Sequence, residues 1–245
     1  MKKRSSIIFL LLALIAVVGG AWLVWTSGSA LPTPSAPAAE NSMEERIDLP
    51  SPEEQSTTSI EEAIANRRSV RKYKEESLAL KEVSQLVWAA QGITAPEEGK
   101  RTAPSAGVLY PLEVYVAVRE VGQLDPGVYR YLLQEHQLEK VKEEEVNSEL
   151  AQAALGQQFV AQAPMAVVIT ADHSVTTQKY GERGEQYVHM EAGHASQNLY
   201  LQAESLGVGT VAVGGFHPEQ VREVLEISTS QTPLYIMSMG KKQEE

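Results

Sequence analysis

The chain has 245 residues, of which 43% are hydrophobic and 22% are charged, which is enough for one globular domain with additional segments. Its formal net charge of −11 argues against a nucleic-acid partner. The absence of cysteine excludes disulfides, zinc–thiolate sites, iron–sulfur clusters and cysteine nucleophiles.

The first 43 residues predict a membrane segment and a tether. Three basic residues at 2–4 precede an apolar run from Ile7 to Trp25, which is about long enough to span a hydrocarbon core. The basic flank predicts a single-pass anchor within residues 1–30, with the rest of the chain on the extracytoplasmic side. A cleavable signal peptide ending at the small residues 28–30 is the alternative. Residues 31–43, rich in Pro, Ala and Ser, predict an extended tether, and the domain is expected over residues 44–245.

A cluster of cations follows the first predicted helix. Ser59 and Glu62 have the spacing of a capping box, which predicts a helix running to about Asn66. Residues 66–74 read NRRSVRKYK and carry five cations. In an acidic chain such a cluster favours an anion site, and the hydroxyl of Ser69 between arginines suits a phosphate better than a carboxylate. A solvated basic turn is the alternative.

The rest of the chain mixes helical and strand patterns. Helices are predicted at 80–91, 186–206 and 218–225, where apolar or small residues recur every three or four positions. Strands are predicted at 113–118, in a hairpin of 127–132 with 136–141, and at 163–170, 209–213 and 233–239. The nearly continuous apolar run at 163–170 indicates a central strand. Because the two patterns do not alternate strictly, we expect an α+β fold.

Three further stretches are candidates to cooperate with the cation cluster. They are the loop at 103–111 (APSAGVLYP), the pair Gly214-Gly215 after a strand, and the pair Lys241-Lys242 after the last strand. The glycine pair offers backbone N–H groups without side-chain bulk. No stretch matches a P-loop or a GxGxxG fingerprint, which argues against a nucleoside triphosphate or a Rossmann dinucleotide. Taken singly, each stretch is more often a turn or a solvated tail.

Two polar motifs flank the start of the longest predicted helix. Lys179 and Tyr180 stand just before it, and a buried lysine beside a tyrosine can act as acid or base; an ordinary exposed loop is the alternative. His189–His194 lacks the spacing of a zinc helix and holds one copy of the Glu-x-x-His pattern where di-iron sites need two, so no metal is expected. A polar stripe of Glu191, His194 and Asn198 along a cavity or interface is the preferred interpretation.

Seven stretches, in chain order, resemble the nitroreductase superfamily of flavoproteins, and within it the branch of azoline dehydrogenases (thiazoline and oxazoline oxidases, the SagB/ThcOx type). They are 67–71 (RRSVR), 88–93 (WAAQGI), 103–115, 179–181 (KYG), 191–201, 213–216 (VGGF) and 233–242. The resemblance implies an α+β, nitroreductase-like fold with a central mixed β-sheet flanked by helices. It also implies an obligate homodimer that holds FMN at its interface.

The same resemblance assigns roles to the candidate residues. The implied FMN contacts are Arg67, Arg68, Ser69, Arg71, Pro104, Ser105, Ala106, Gly107, Gly214, Gly215, Lys241 and Lys242. In this assignment Arg67 and Ser69 hold phosphate and ribityl oxygens, Arg71 stabilises the negative charge of the reduced ring, and the two final lysines complete the phosphate site. The loop at 104–107 reaches the flavin from the partner chain, and the glycine pair offers N–H groups near the hydride-accepting edge. The catalytic pair is Lys179 and Tyr180, which remove a proton while flavin takes the hydride.

The expected function is an FMN-dependent oxidoreductase that transfers hydride between FMN and a small organic or peptide-derived substrate. The peptide-maturing members of this branch work in the cytoplasm, whereas this domain is predicted to be exported and tethered. Two alternatives remain open. One is a nitro or quinone reductase, or a reductive dehalogenase; the other is a non-enzymatic extracellular flavin-binding module.

Overall fold

A computed structural model describes residues 45–243 of the chain. The strands of this part are β1 (Arg46–Asp48), β2 (Ile93–Ala95), β3 (Lys100–Arg101), β4 (Leu112–Val118), β5 (Gly127–Leu132), β6 (Gln137–Lys142), β7 (Met165–Ala171), β8 (Val208–Val213) and β9 (Thr232–Lys241). The helices are α1 (Ile60–Asn66), α2 (Leu80–Gln91), α3 (Asn147–Ala153), α4 (Gln158–Gln162), α5 (His173–Tyr180), α6 (Arg183–Ser205) and α7 (Pro218–Leu225). The α+β class predicted from the sequence is confirmed.

Seven of the strands form one sheet in the order β1-β6-β5-β4-β7-β9-β8. All of its strand pairs are antiparallel, so the prediction of a mixed sheet is wrong in this detail. The physical reason lies in the connection from β7 through α5 and α6 to β8. These two strands run in the same direction, but β9 lies between them and pairs antiparallel with both. The remaining strands, β2 and β3, form a small separate ribbon.

The core has two hydrophobic clusters, one on each face of the sheet. Side chains alternate along each strand, so Val116 of β4 points into the first cluster and Ala117 into the second. Helices α2 and α6 cover the first face, and α3, α4 and α7 cover the second. Strand β7 is buried at every residue because it lies between both layers. This double burial explains the continuous apolar run that predicted a central strand.

Several boundaries follow the signals in the sequence. Ser59 Oγ accepts a hydrogen bond from the Glu62 backbone N–H at 3.1 Å and starts α1, as the capping box predicts. Helix α2 ends before Gly92, and α7 spans the predicted residues 218–225. Helices α3, α4 and α5 were not predicted, since segments of five to eight residues carry too few turns for a clear period.

Helix α6 is the longest of the described helices and has 23 residues. Val188, Ala192, Ala195, Leu199 and Ala203 lie on its buried side, which is the periodicity that predicted it. The predicted membrane anchor and tether at residues 1–43 lie outside the described residues. Within residues 45–243 no helix combines the length and the apolar character needed to cross a membrane.

Candidate functional site

The cation cluster lies on the rim of the large sheet. The backbone N–H of Val70 donates to Thr210 O of β8 at 2.9 Å, and that of Lys74 donates to Lys241 O of β9 at 3.0 Å. Gly209 permits this close approach, because a Cβ at Gly209 would lie 2.6 Å from Val70 Cγ1. The two basic stretches, which are far apart in the sequence, therefore meet through their backbones.

Helix α6 supports the first part of this cluster. The Arg67 guanidinium lies over the Tyr200 ring, 5.0 Å from its centroid. Ser69 Oγ is 3.1 Å from the Tyr200 hydroxyl. That hydroxyl accepts from the Ala212 backbone N–H at 2.8 Å, which leaves its own proton free to be donated to Ser69. Tyr200 thus fixes both residues that the resemblance places at a phosphate.

The second part of the cluster faces the glycine pair. The Arg71 guanidinium is 5.6 Å from the centroid of the Phe159 ring in α4. Two residues before that ring, Gln157 Nε2 donates to Gly215 O at 3.1 Å. Gly214 and Gly215 are exposed, so their backbone is open to a ligand. We call Arg67, Ser69, Arg71, Gly214 and Gly215 the basic half-site.

The predicted cations differ in their partners. Lys241 forms an ion pair with Glu82 of α2, and Lys242 forms one with Glu204 of α6. No carboxylate of the described part pairs with Arg67 or with Arg71. The positive charge available to an anion therefore comes from the arginines, and the two lysines are already neutralised by acids.

Arg68 has a structural task within the same stretch. Its Nη1 donates to Ala65 O at 3.0 Å and to Arg67 O at 2.9 Å. Both are carbonyls at the end of α1, which have no partner inside the helix. The side chain is otherwise exposed, so Arg68 caps α1, and its contact with FMN stays a prediction.

Lys179 and Tyr180 meet the predicted loop at 104–107. They lie in the last turn of α5 rather than in a loop. Gly107 has a left-handed backbone with φ of 64°, and a Cβ there would lie 2.6 Å from Tyr180 Oη and 2.7 Å from Lys179 Nζ. The Lys179 amine and the Tyr180 hydroxyl therefore lie directly against the backbone of Gly107, which has no side chain. We call Pro104–Gly107 with Lys179 and Tyr180 the loop half-site; in the single chain the Lys179 side chain is exposed.

A buried carboxyl group lies beneath this loop. Glu191 of α6 is 2% exposed, and one of its oxygens, Oε1, has no hydrogen-bond partner among the described residues. Burial raises the pKa of Glu191 to about 7, against the opposing effects of a hydrogen bond from Ser105 and of the Arg101 charge. Ser105 Oγ in turn accepts from the Tyr110 backbone N–H at 2.8 Å. Glu191 thus joins α6 to the loop half-site.

We expect Glu191 to make the stability of the fold depend on pH. Its folded-state pKa lies above the ordinary value of 4.5, so the folded chain holds this proton more tightly than the unfolded chain. The contribution is complete below about pH 4.5 and is lost as the pH rises through about 7, on the order of 3 kcal/mol in all. Urea unfolding at a series of pH values should show a flatter profile for Glu191→Gln than for the wild type.

The exposed Glu185 of the same helix provides the matched control. Glu185→Gln should keep the wild-type profile, because this side chain is exposed to solvent in the folded chain as it is in the unfolded chain. Equal profiles for wild type and Glu191→Gln would show that the buried carboxyl group does not contribute.

Helix α6 connects the two half-sites within one chain. Glu191 supports the loop half-site and Tyr200 supports the basic half-site, and nine residues of helix separate them by roughly 14 Å. Asn198 Nδ2 donates to Thr102 O at 3.2 Å, so the predicted polar stripe does reach the loop. His194 is exposed and takes no part in these contacts.

Sequence reasoning missed the residues between α3 and α4. Gln157 and Phe159 contact the basic half-site, and Leu155 lies beside Gly215. No motif or charge pattern marks them, and their partners are some 60 to 90 residues away in the chain. Within residues 45–243 no group of three or more His, Asp or Glu side chains could hold a metal ion.

A separate cavity of about 930 Å³ lies between α2, α6 and residues 53–59. Trp88, Asn198 and Leu201 are among the side chains that line it. None of the residues of the two half-sites lines this cavity, so volume alone does not locate the site.

Comparisons with known proteins agree with this geometry. A family model described as the nitroreductase family matches residues 64–241. A protein of Methanocaldococcus jannaschii that is named as a nitroreductase is 48% identical over 198 residues, which cover 81% of this chain and 97% of that protein. A solved nitroreductase-like structure from Ralstonia eutropha superposes with a TM-score of 0.73 at 30% identity, covering 82% of this chain and 91% of that one.

A more distant relative is the trifolitoxin operon protein TfxC of Rhizobium leguminosarum bv. trifolii. It is 25% identical over 196 residues, which cover 74% of this chain. The match spans only 55% of the length of TfxC. The chain is thus similar over most of its length to nitroreductases and, at lower identity, to about half of TfxC.

Proposed function

The chain belongs to the nitroreductase family of oxidoreductases, and we propose that it works as an FMN-dependent homodimer. In this proposal the basic half-site of one protomer and the loop half-site of its partner face the same cofactor. Flavin and a homodimer are typical of the family, which supports both parts of the proposal. The finer assignment is hydride transfer between FMN and a small organic or peptide-derived substrate.

The residues of the basic half-site fit FMN. Arg67 and Ser69 present a cation and a hydroxyl side by side, which suits phosphate oxygens, and no carboxylate within residues 45–243 competes for Arg67. The bare backbone of Gly214 and Gly215 accepts close approach of a flat ring. The observation that carries the proposal is that Arg67, which has no carboxylate partner among the described residues, and the exposed glycine pair lie on one rim of the sheet in a chain with net charge −11.

The residues of the loop half-site suit proton transfer. FMN, when bound, supplies the hydride chemistry. Lys179 Nζ and Tyr180 Oη lie together against Gly107, so one group can hold a proton while the other donates or accepts one at the substrate. The exposure of Lys179 in the single chain fits a site that a partner completes, because proton transfer is better controlled where water is excluded.

Two reaction directions have specific support. The 48% identity to a protein named as a nitroreductase favours reduction of nitro compounds or quinones. The Lys179–Tyr180 pair, with the similarity to TfxC, favours dehydrogenation of an azoline in a peptide. We favour azoline dehydrogenation over nitro or quinone reduction. In dehydrogenation the Lys179–Tyr180 pair, which is held against Gly107, has a defined role as the group that removes the proton. A membrane anchor that holds the domain on the extracytoplasmic side rests on residues 1–30 alone and stays a prediction.

Purification of the chain tests the cofactor and the dimer together. We expect a yellow protein that releases about one FMN per protomer on denaturation and migrates as a dimer in size-exclusion chromatography with light scattering. Denaturation with identification of the released chromophore separates FMN from FAD. A colourless protein whose spectrum does not change when FMN is added would contradict the proposal.

A further inference from the structure

Helix α3 ends in a turn that places a leucine in the left-handed backbone conformation. The Gly156 backbone N–H donates to Ala151 O at 2.9 Å, which closes the turn that usually ends a helix with a left-handed residue. Two successive residues of this turn are left-handed, Leu155 with φ of 59° and Gly156 with φ of 76°. Glycine is preferred at such positions, since a side chain with a Cβ is strained there. The chain has glycine at the second of these two positions and keeps leucine at the first.

Packing in the single chain does not explain this leucine. Its side chain is 60% exposed, whereas a leucine retained for stability would be buried. Among the described residues, only two aliphatic side chains have a left-handed backbone, Val108 and Leu155, and both are exposed. Val108 directly follows the loop half-site, and Leu155 lies at the basic half-site. Backbone strain with exposure of an apolar group is typical of functional positions.

The position of Leu155 is fixed over the glycine pair. Leu155 Cδ1 lies 3.6 Å from the point that a Cβ on Gly215 would occupy. Gln157 Nε2 donates to Gly215 O at 3.1 Å, and the His217 backbone N–H donates to Ala153 O at 2.9 Å. These bonds tie the α3–α4 connection to the glycine loop on both sides of Leu155. The leucine side chain therefore forms an exposed apolar wall beside the open backbone of the glycine pair.

We propose that Leu155 is a specificity-determining residue whose side chain packs against the substrate at the flavin site, and that this wall selects planar, apolar electron acceptors or donors. The inference rests on the proposed function and gives its site a substrate class. The half-buried Phe159 and Phe216 lie in the same region and extend the apolar surface. An isolated charged acceptor gains nothing from such a wall.

The test uses the FMN-loaded protein with its flavin photoreduced, and follows reoxidation by increasing menadione, a planar quinone. Leu155→Gly removes both side chain and strain, and Leu155→Asn keeps a similar size in a residue that tolerates the left-handed backbone. Gln123→Gly is the matched control, because Gln123 is an exposed left-handed residue, with φ of 69°, in the turn between β4 and β5. Ferricyanide serves as the charged acceptor.

We expect the half-saturating menadione concentration to rise about tenfold or more in both Leu155 variants and to stay at the wild-type value in Gln123→Gly. Ferricyanide rates and the FMN dissociation constant should stay within about twofold of wild type. The unfolding temperature should rise by about 2 to 4 °C in Leu155→Gly and in Gln123→Gly, since both relieve strain.

Two outcomes overturn the inference separately from the proposed function. Unchanged menadione saturation in Leu155→Gly, with FMN bound, shows that the leucine does not touch the substrate. A weakened FMN affinity with unchanged menadione saturation assigns the leucine to the cofactor instead. A wild-type chain that binds no FMN overturns the proposed function, and the inference with it.

Discussion

Replacing Lys179 with alanine in the FMN-loaded protein is expected to lower the turnover rate by a factor of about 10² to 10⁴ while FMN stays bound. The reason is the position of Lys179 Nζ beside Tyr180 Oη, with both groups resting against Gly107. Without the ammonium group one member of the proton-transferring pair is absent. Steady-state kinetics with an azoline peptide and with a nitroaromatic compound, together with the flavin absorbance spectrum, measures both effects.

Three companion variants make this result specific. Tyr180→Phe should give a similar loss, and Gly107→Ala should reduce turnover because its Cβ would displace both head groups. Gln178→Ala is the control, since Gln178 is an exposed neighbour on α5 and should keep the wild-type rate. Unchanged turnover in Lys179→Ala with either class of substrate would remove the assigned catalytic role. A loss for the azoline alone would assign the pair to dehydrogenation.

Replacing Arg67 with alanine is expected to weaken FMN binding by a factor of about 30 to 1,000, which corresponds to about 2 to 4 kcal/mol for a charge-assisted phosphate contact. Arg67 is half-buried, it is held over the Tyr200 ring, and it has no carboxylate partner in the described part. Titration of FMN into the cofactor-free protein, followed by flavin fluorescence, gives the dissociation constant directly.

Two neighbouring arginines serve as internal references. Arg68→Ala should change FMN affinity by less than about threefold, because Arg68 binds carbonyls at the end of α1. Arg71→Ala should shift the flavin reduction potential more than the affinity, since the resemblance places Arg71 at the ring. Equal losses of affinity in Arg67→Ala and Arg68→Ala would mean that the cluster acts only through its total charge.

Sequence reasoning located the long elements because their periods extend over several turns or strand repeats. Helix α2 and strand β7 were predicted nearly to the residue, since one face or both faces of each are apolar without interruption. The mixed sheet was expected from the family resemblance, and the insertion of β9 between β7 and β8 is a long-range pairing that no local pattern records. Short helices such as α4 leave too weak a period.

The sequence indicated which charged residues to consider for the candidate site, but not how those charges are paired. The cations at 67–71 and at 241–242 were both visible as charges, but the pairing of Lys241 with Glu82 joins residues 159 positions apart. The contact of Gly107 with Lys179 likewise brings together two stretches that were assigned separately. Both features are properties of packing between distant segments, which residue patterns do not specify.

The docking of the cation cluster also affects how the fold resists self-association. Strand β8 is an outer strand of the sheet, and an uncovered outer strand offers its N–H and C=O groups to other chains. Residues 69 and 70 occupy part of that edge, with Ser69 bridged to Thr210 and Val70 hydrogen-bonded to it. If residues 69 and 70 detached, the edge of β8 would be exposed and could pair with a strand of another chain. The stretch proposed to bind the cofactor therefore also protects this edge of the sheet from aggregation.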